Sequence, residues 1–428
     1  MLGECAAQLG DVRPRVGLLF VSGDFDQQRV LDTIAERFPG LDLIGCTTRG
    51  DMSWFAGFSE DSINLVLLAS DTLTLSVGLG RECSKDPEAA IRQALTQARA
   101  GLGVTDASLP ERLCLILPDI TRKEGGDLVL SLGRQLAPGC DLFGGAAARP
   151  WGLTMMPIGQ FFGRELTSDA LPMLLIGGPV EYSFSIENEW RRLGERQRVT
   201  NAAGLVEEGT SDHFYLRVGD SYDTETGQVK YVDKVPDGAM VQLTEAVRPH
   251  MLEQTESCLA QLGAELREKQ PLLALSFSCS ARRPVLGSQV AREAETVRKH
   301  LQDTPLVGFY GFGEIAPTAP GRSSFLHHAT LVTLVLYVAK EDTRQPARYP
   351  PATLDFSADV DPRRSSECGM RSGEFGIRNR NSAFRIPHSA LRPRAHATTT
   401  FCAIGSRVGE MRWLTRLPTY GPTKRKSA

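Results

Sequence analysis

The chain has 428 residues, of which 41% are hydrophobic, with 48 Lys+Arg, 51 Asp+Glu and nine cysteines. That length buries a large core and suits two or three domains. The basic residues 341–428 could attract nucleic acid but carry aromatics too few and scattered to stack bases, no apolar run reaches the roughly 20 residues of a membrane span, and dispersed cysteines without CxxC spacing argue against a disulfide framework.

The net charge of −3 hides an asymmetry. Residues 341–428 hold 16 Lys+Arg and 8 Asp+Glu, so 1–340 carry −11 and the tail +8. The N-terminus lacks a basic stretch followed by an apolar one, and reduced thiols fit the cytoplasm. The expected setting is cytoplasmic, without a membrane.

In chain order, Val16–Ser22 reads as a strand covered on both faces. Val30, Leu31, Ile34 and Phe38 give Asp26–Phe38 a helical stripe, which Pro39-Gly40 ends. Leu41–Gly45, Ile63–Ala69 and Leu73–Leu79 are further strands, and Pro87–Leu102 is a helix. Strand Leu113–Pro118, helix Leu128–Leu136 and strand Cys140–Gly144 follow. Ile158–Phe162 and Met173–Ile176 are expected to pair with each other. Glu181–Glu195 fits no element cleanly, and 200–210 reads as a junction. Phe214–Val218 and Val229–Val232 flank a turn at Asp223–Gly227, and Pro236–Gly238 marks another. A long helix covers Arg248–Glu268. Strand Leu272–Phe277, helix Val290–Leu301, strand Pro305–Gly308 and strand His328–Tyr337 close the body. From Glu341 on, periodicity stops, and the tail is expected to be disordered.

One unit recurs: an apolar strand, an amphipathic helix, then a strand ending on glycine. It spans Val16–Gly45, Leu113–Gly144 and Leu272–Gly308. Aligning Gly45 with Gly308 places Gly50 on Gly313 and Asp51 on Glu314, while Arg149 falls beside the matching place in the middle copy. Repetition of one supersecondary unit constrains the fold more than any single motif. The fold class is therefore α/β: a two-domain body of repeated strand–helix–strand units, with mixed β-sheets flanked by helices, plus a disordered C-terminal tail. The expected divisions are 12–200, 201–340 and 341–428.

The body resembles the FIST domain, a two-part bacterial sensory module also related to part of some F-box proteins. The N-terminal match rests on Leu43–Asp51 with the strand and helix before it. The C-terminal match rests on Phe214–Leu216, Val235–Gly238, Phe277–Cys279, Pro305–Pro317 and Phe325–Leu336. The resemblance implies a module for signal transduction that binds a small ligand, with amino acids suggested. Some members are haem-dependent nitric-oxide sensors that regulate a histidine kinase, so a signalling partner is implied and haem is the alternative cofactor. This chain departs from the family at Arg149, where a carboxylate is expected, and in a short junction near 200–214. No kinase or cyclase motif follows the body.

The candidate ligand residues are Asp51 and Glu314 for an ammonium group and Arg149 for a carboxylate. Gly45, Cys46, Gly308, Phe309, Tyr310 and Gly313 line the same strand ends. Phe312, Trp54, Phe55 and Phe58 are candidate walls. The competing reading makes the two acids loop caps. A haem would take His213 or His250 as its axial ligand; otherwise no cofactor and no metal is expected. Cys46 or Cys279 with His327 or His328 would make a thiol nucleophile, but without an enzyme motif the expectation is a non-enzyme.

Overall fold

In the computed structural model the described residues are 12–102, 111–121, 125–150, 156–187, 190–198, 216–222, 224–225, 229–231, 233, 235, 239–302, 304–338, 398–407 and 410–416. The three repeats are recovered as parallel strand pairs. In the first, β1 (Val16–Ser22) and β2 (Asp42–Thr48) flank α1 (Gln27–Arg37), whose N-cap Asp26 accepts from the Arg29 amide. Next come the short strands β3 (Asp51–Ser53) and β4 (Gly57–Ser59), then β5 (Ser62–Ala69), which runs antiparallel to β1. Strand β6 (Thr74–Arg81) and helix α2 (Pro87–Leu102) lead into the second repeat.

The second repeat is β7 (Glu111–Ile116), α3 (Gly125–Gln135) and β8 (Asp141–Gly145), with the hairpin β9 (Gln160–Phe162) and β10 (Glu165–Thr167). Strand β11 (Ala170–Gly177) returns antiparallel to β7. Strands β12 (Val180–Glu187), β13 (Arg191–Arg198), β14 (Gly219–Tyr222), β15 (Val229–Tyr231) and β16 (Met240–Glu245) follow, then helix α4 (Arg248–Glu265). The third repeat is β17 (Gln270–Cys279), the short helix α5 (Arg282–Leu286), α6 (Ala291–His300) and β18 (Leu306–Gly311). Its hairpin is β19 (Glu314–Pro317) and β20 (Ser324–His327), and β21 (Leu331–Val338) returns against β17.

These strands form three large sheets with one common order, and the hairpins are exchanged in a cycle. The hairpin after β2 pairs with β18, the hairpin after β18 pairs with β8, and the hairpin after β8 pairs with β2. The strand after each return strand also crosses over, β6 joining β11 and β12 joining β21. The sheets thus read β10-β9-β2-β1-β5, β20-β19-β8-β7-β11-β6 and β4-β3-β18-β17-β21-β12. The portions expected at 12–200 and 201–340 share strands through these exchanges. Ile158–Phe162 and Met173–Ile176, expected to pair with each other, lie in different sheets because hairpin β9–β10 is donated to the first repeat.

Each strand alternates between two cores. Val16, Leu18 and Phe20 of β1 point into a central cluster that takes residues from all three sheets, among them Phe143, Phe277 and Phe309. Leu19 and Val21 point the other way, onto Leu31, Ile34 and Phe38 of α1. Helices α2 and α3 cover the second sheet, and α4 and α6 the third. Phe309 packs 4.9 Å from Phe20 and 5.5 Å from Phe277 between ring centroids.

The glycine that ends each repeat has one physical cause. A Cβ on Gly45 would sit 2.0 Å from the Leu19 carbonyl oxygen, one on Gly144 2.0 Å from that of Ile116, and one on Gly308 2.1 Å from that of Ser276. Each approach is too close for any side chain.

Within the tail, expected to lack regular structure, Thr398–Arg407 (β22) and Glu410–Arg416 (β23) are strands. Strand β22 runs parallel to β5 at the edge of the first sheet, in the place that β6 and β12 occupy in the other two. An open edge supplies backbone partners that the local sequence does not announce. The rest of 339–428, the candidate junction and the turn at 236–238 lie outside the described residues, and of Phe214–Val218 the described residues 216–218 are not strand.

Candidate functional site

The loops leaving β2, β8 and β18 interlock. The Ala148 amide donates to the Thr47 carbonyl (2.9 Å), and Thr47 Oγ1 to the Ala148 carbonyl (2.7 Å). The Tyr310 amide donates to the Gly50 carbonyl (2.8 Å), and the Arg49 amide to the Tyr310 carbonyl (3.0 Å). The Ala146 amide donates to the Gly313 carbonyl (2.8 Å). Every repeat therefore holds its neighbour at the carboxyl end of a parallel strand pair, the end where α/β sheets bind ligands.

The two acids singled out from the sequence are inside this junction rather than on its surface. Asp51 opens β3 opposite Phe309 and is 1% exposed. It accepts from Ser62 Oγ, the first residue of β5. Glu314 opens β19 opposite Gly145 and is fully buried. It accepts from Thr330 Oγ1 (2.7 Å) and the Thr330 amide (3.3 Å), just before β21. Both acids clamp the base of an exchanged hairpin to the return strand of the same repeat. Burial pushes Asp51 up to about 7, against hydrogen bonds from Ser62, Thr48 and Asn64. Burial likewise lifts Glu314 well above the carboxylate range, with Thr330 opposing. The placement, buried and hydrogen-bonded, fits their reading as loop clamps.

Cys46, Phe309 and Tyr310 are fully buried too. Phe309 belongs to the central cluster, and Tyr310 OH donates to Glu293 Oε2 (2.6 Å). Burial raises both the Cys46 and the Cys279 thiols, helped by Asp51 beside the first and Glu314 beside the second. Neither is poised as a thiolate. Nor are their candidate bases free to serve. His327 Nε2 lies 3.0 Å from the Ala316 carbonyl, and burial lowers its pKa to about 4; His328 lies 3.8 Å from Asp233.

What this end of the sheets does present is a group of arginines, one from each repeat: Arg49 and Arg149 on the interlocked loops, and Arg283 on α5 after β17. Arg149 follows Ala148 directly and donates to the Met156 carbonyl (3.3 Å). Arg49 Nη1 donates to Ser280 Oγ (3.2 Å), and its guanidinium lies 5.2 Å from the Phe312 ring centroid. Arg283 Nη1 donates to the Arg49 carbonyl (2.6 Å), Nη2 pairs with Glu60, and the group lies 5.3 Å from the Phe58 ring and 5.9 Å from that of Tyr310. Burial lowers Arg49 to about 10, with Arg283 and then Arg149 adding repulsion. Asp24 and Asp61 fringe the same end, and burial followed by Asp61 raises the Asp24 pKa.

Of these arginines only Arg149 was singled out as a ligand from the sequence. Arg49 lies within the Leu43–Asp51 motif, and Arg283 lies four residues beyond Cys279. A basic residue shortly after each strand end was the available signal. Phe58 and Phe312 border the group as walls, whereas Trp54 packs on the helical side of the third sheet beneath Arg298.

His213 lies outside the described residues. His250 opens α4 beside a groove of 1190 Å³ floored by Val247, Pro249, Leu252, Pro284 and Val285, but does not line it. His300 is engaged with Glu256 (2.7 Å).

A second charged cluster is buried beneath α4. Arg282 is fully buried between Glu187 and Glu293, with Thr255 and Ser278 adding hydrogen bonds. Burial opposes its charge, but Glu293 and Glu187 outweigh that and raise its pKa. Its neighbour in sequence, Arg283, is thereby anchored at the arginine group.

A family model described as the FIST N domain matches residues 15–208, and one described as the FIST C domain matches residues 182–317. No curated protein matches the chain. Among solved structures, that of PurLQS from Thermotoga maritima is similar over 77% of this chain at 11% identity, with a TM-score of 0.19. The chain covers 66% of that structure, just under two thirds of its length, and so loose a superposition carries nothing about fold or activity.

Proposed function

The chain belongs to the FIST family, whose domains are sensory modules of signal-transduction proteins, and from that premise we propose that it senses a small carboxylate-bearing ligand at the interlocked loops and signals through a partner protein. The observation that supports this reading is the meeting of Arg49, Arg149 and Arg283, one from each repeat, at the carboxyl ends of the parallel strands. Guanidinium forks match carboxylate oxygens, and a ligand touching all three arginines ties the repeats together. Binding then shifts the population towards the tied arrangement, which a signalling protein such as a histidine kinase reads. Free amino acids are the first class to test. Their ammonium group faces the Asp24–Asp61 fringe in this arrangement, in place of the buried Asp51 and Glu314. The test is a thermal-shift screen of the full chain and of Arg149→Ala against the common amino acids and small carboxylic acids. Ligand at a hundred times its Kd adds about 2.7 kcal/mol to the folded state, a shift of roughly 4 °C for a body of this size. A shift lost in Arg149→Ala supports the site; the same shift in both proteins refutes it.

A further inference from the structure

We infer that the groove between α4, α5 and α6 is the docking site for an amphipathic helix of the signalling partner. The need for a partner rests on the sensor reading above; the place and the chemistry rest on the groove itself.

The groove is held in shape before anything enters it. Its apolar floor includes Leu252 of α4 and Pro284 and Val285 of α5, with Glu253 and Glu256 on the α4 wall and Arg292 and Lys299 on the α6 wall. Arg282 ties the three elements together from beneath. It belongs to α5, its Nη2 donates to Thr255 Oγ1 of α4 (3.1 Å), and its Nε donates to Glu293 Oε1 of α6 (2.6 Å). Arg248 Nε donates to the Val285 carbonyl (2.7 Å), and Glu256 pairs with Lys299 across the walls. Walls fixed in advance lose little entropy on binding.

Size and shape select the occupant. The volume of 1190 Å³ exceeds the roughly 300–1,000 Å³ of a small-molecule pocket. Pro249, Leu252 and Glu256 on α4, and Arg292, Thr296 and Lys299 on α6, recur at the spacing of one helix face. Each wall therefore runs about 10 Å at 1.5 Å per residue. An extended peptide docks through main-chain bonds to an open strand edge, which helical walls with internally bonded backbones do not offer. A helix arrives with its own backbone bonded and fills such a groove with side chains alone. Charge sets the flanks: an acidic wall facing a basic one suits a helix with bases along one side of its apolar stripe and acids along the other. The acidic wall also repels a nucleic acid or an anionic membrane.

The apolar surface continues past the groove. Ala246 and Val247 line it and follow β16 directly, and among the described strands β13 and β16 pair only with each other. On this ribbon Leu243 is 75% exposed and Met240 52%, with Leu193 opposite Leu243. Adjoining exposed apolar side chains mark a surface that another protein covers. Helix α5 also joins the groove to the arginine group, since Arg283 reaches that group while Pro284 and Val285 floor the groove.

The probe is a fluorescein-labelled helical peptide of about 18 residues, with leucines at i, i+4 and i+7, lysines along one flank and glutamates along the other. It is titrated with the full chain and read by fluorescence anisotropy. The peptide should bind about tenfold or more tightly than its leucine-to-alanine counterpart, and Leu252→Glu should weaken it by a similar factor. Glu253→Lys, an exposed change that makes both walls basic, should shift the preference to a peptide with glutamates on both flanks. Hydrogen exchange of the unaltered chain should slow at 248–256 and 284–299 when the peptide is present. Equal binding of the leucine and alanine peptides, or binding that Leu252→Glu and Glu253→Lys leave unchanged, overturns the site. A dimer of the full chain in light scattering that Leu252→Glu dissociates overturns the partner helix in favour of a second copy. The peptide is titrated without small ligand, so its failure strikes the groove and leaves the ligand screen standing, and a failed screen leaves the groove standing.

Discussion

Asp51 carries a pH dependence that can be worked out from its surroundings. It is fully buried, and burial raises its pKa from 3.8 to about 7. Between those values the folded chain holds a proton that the unfolded chain has released. Stability therefore falls as pH rises from about 4 to about 7, and levels off above. Three units at about 1.4 kcal/mol each make the loss on the order of 4 kcal/mol. Asp51→Asn has no proton to lose, and its amide oxygen still accepts from Ser62 Oγ. The variant should match the parent near pH 4 and exceed it progressively up to pH 8. The assay is urea unfolding of both proteins at half-unit pH steps, taking the difference so that Glu314 and other titrating groups cancel. A difference that stays flat across that range would show that Asp51 is ionised without penalty in the fold, and the inference of a carboxyl raised by burial would fall.

Gly45→Ala and Gly308→Ala should each cost about 3 kcal/mol, because the new methyl meets a main-chain carbonyl oxygen; Gly133→Ala, on α3 with nothing within 4 Å, should instead stabilise by about 0.5–1 kcal/mol, and thermal unfolding separates the two cases. Arg282→Ala should cost about 3–5 kcal/mol by stranding Glu187 and Glu293 in the interior, and an unfolding midpoint within a degree of the parent would contradict this. Cys46 and Cys279 should be alkylated no faster than the chain opens, since both thiols are buried with raised pKa; rapid labelling of either in the native protein, read by peptide mass spectrometry, would restore the nucleophile.

Much of the fold is legible in the sequence because its causes are local. Three strand–helix–strand units are written in period-two and period-3.6 patterns, and each ends on a glycine that the partner strand's carbonyl demands. The alignment of Asp51 with Glu314 is also correct as structure: both open an exchanged hairpin and both clamp it. Their task was not legible. A carboxylate after a strand end looks the same in sequence whether it faces water or a neighbouring repeat, and the hairpin exchange decides which. That exchange depends on pairings such as Phe309 with Asp51, far apart along the chain, as does the seat of Arg49 on Ser280, 231 residues away. Local periodicity specifies which residues form a strand and which face is apolar. Which strand lies beside it is set by burial of the whole chain at once, so only the tertiary structure buried the two acids and gathered the three arginines.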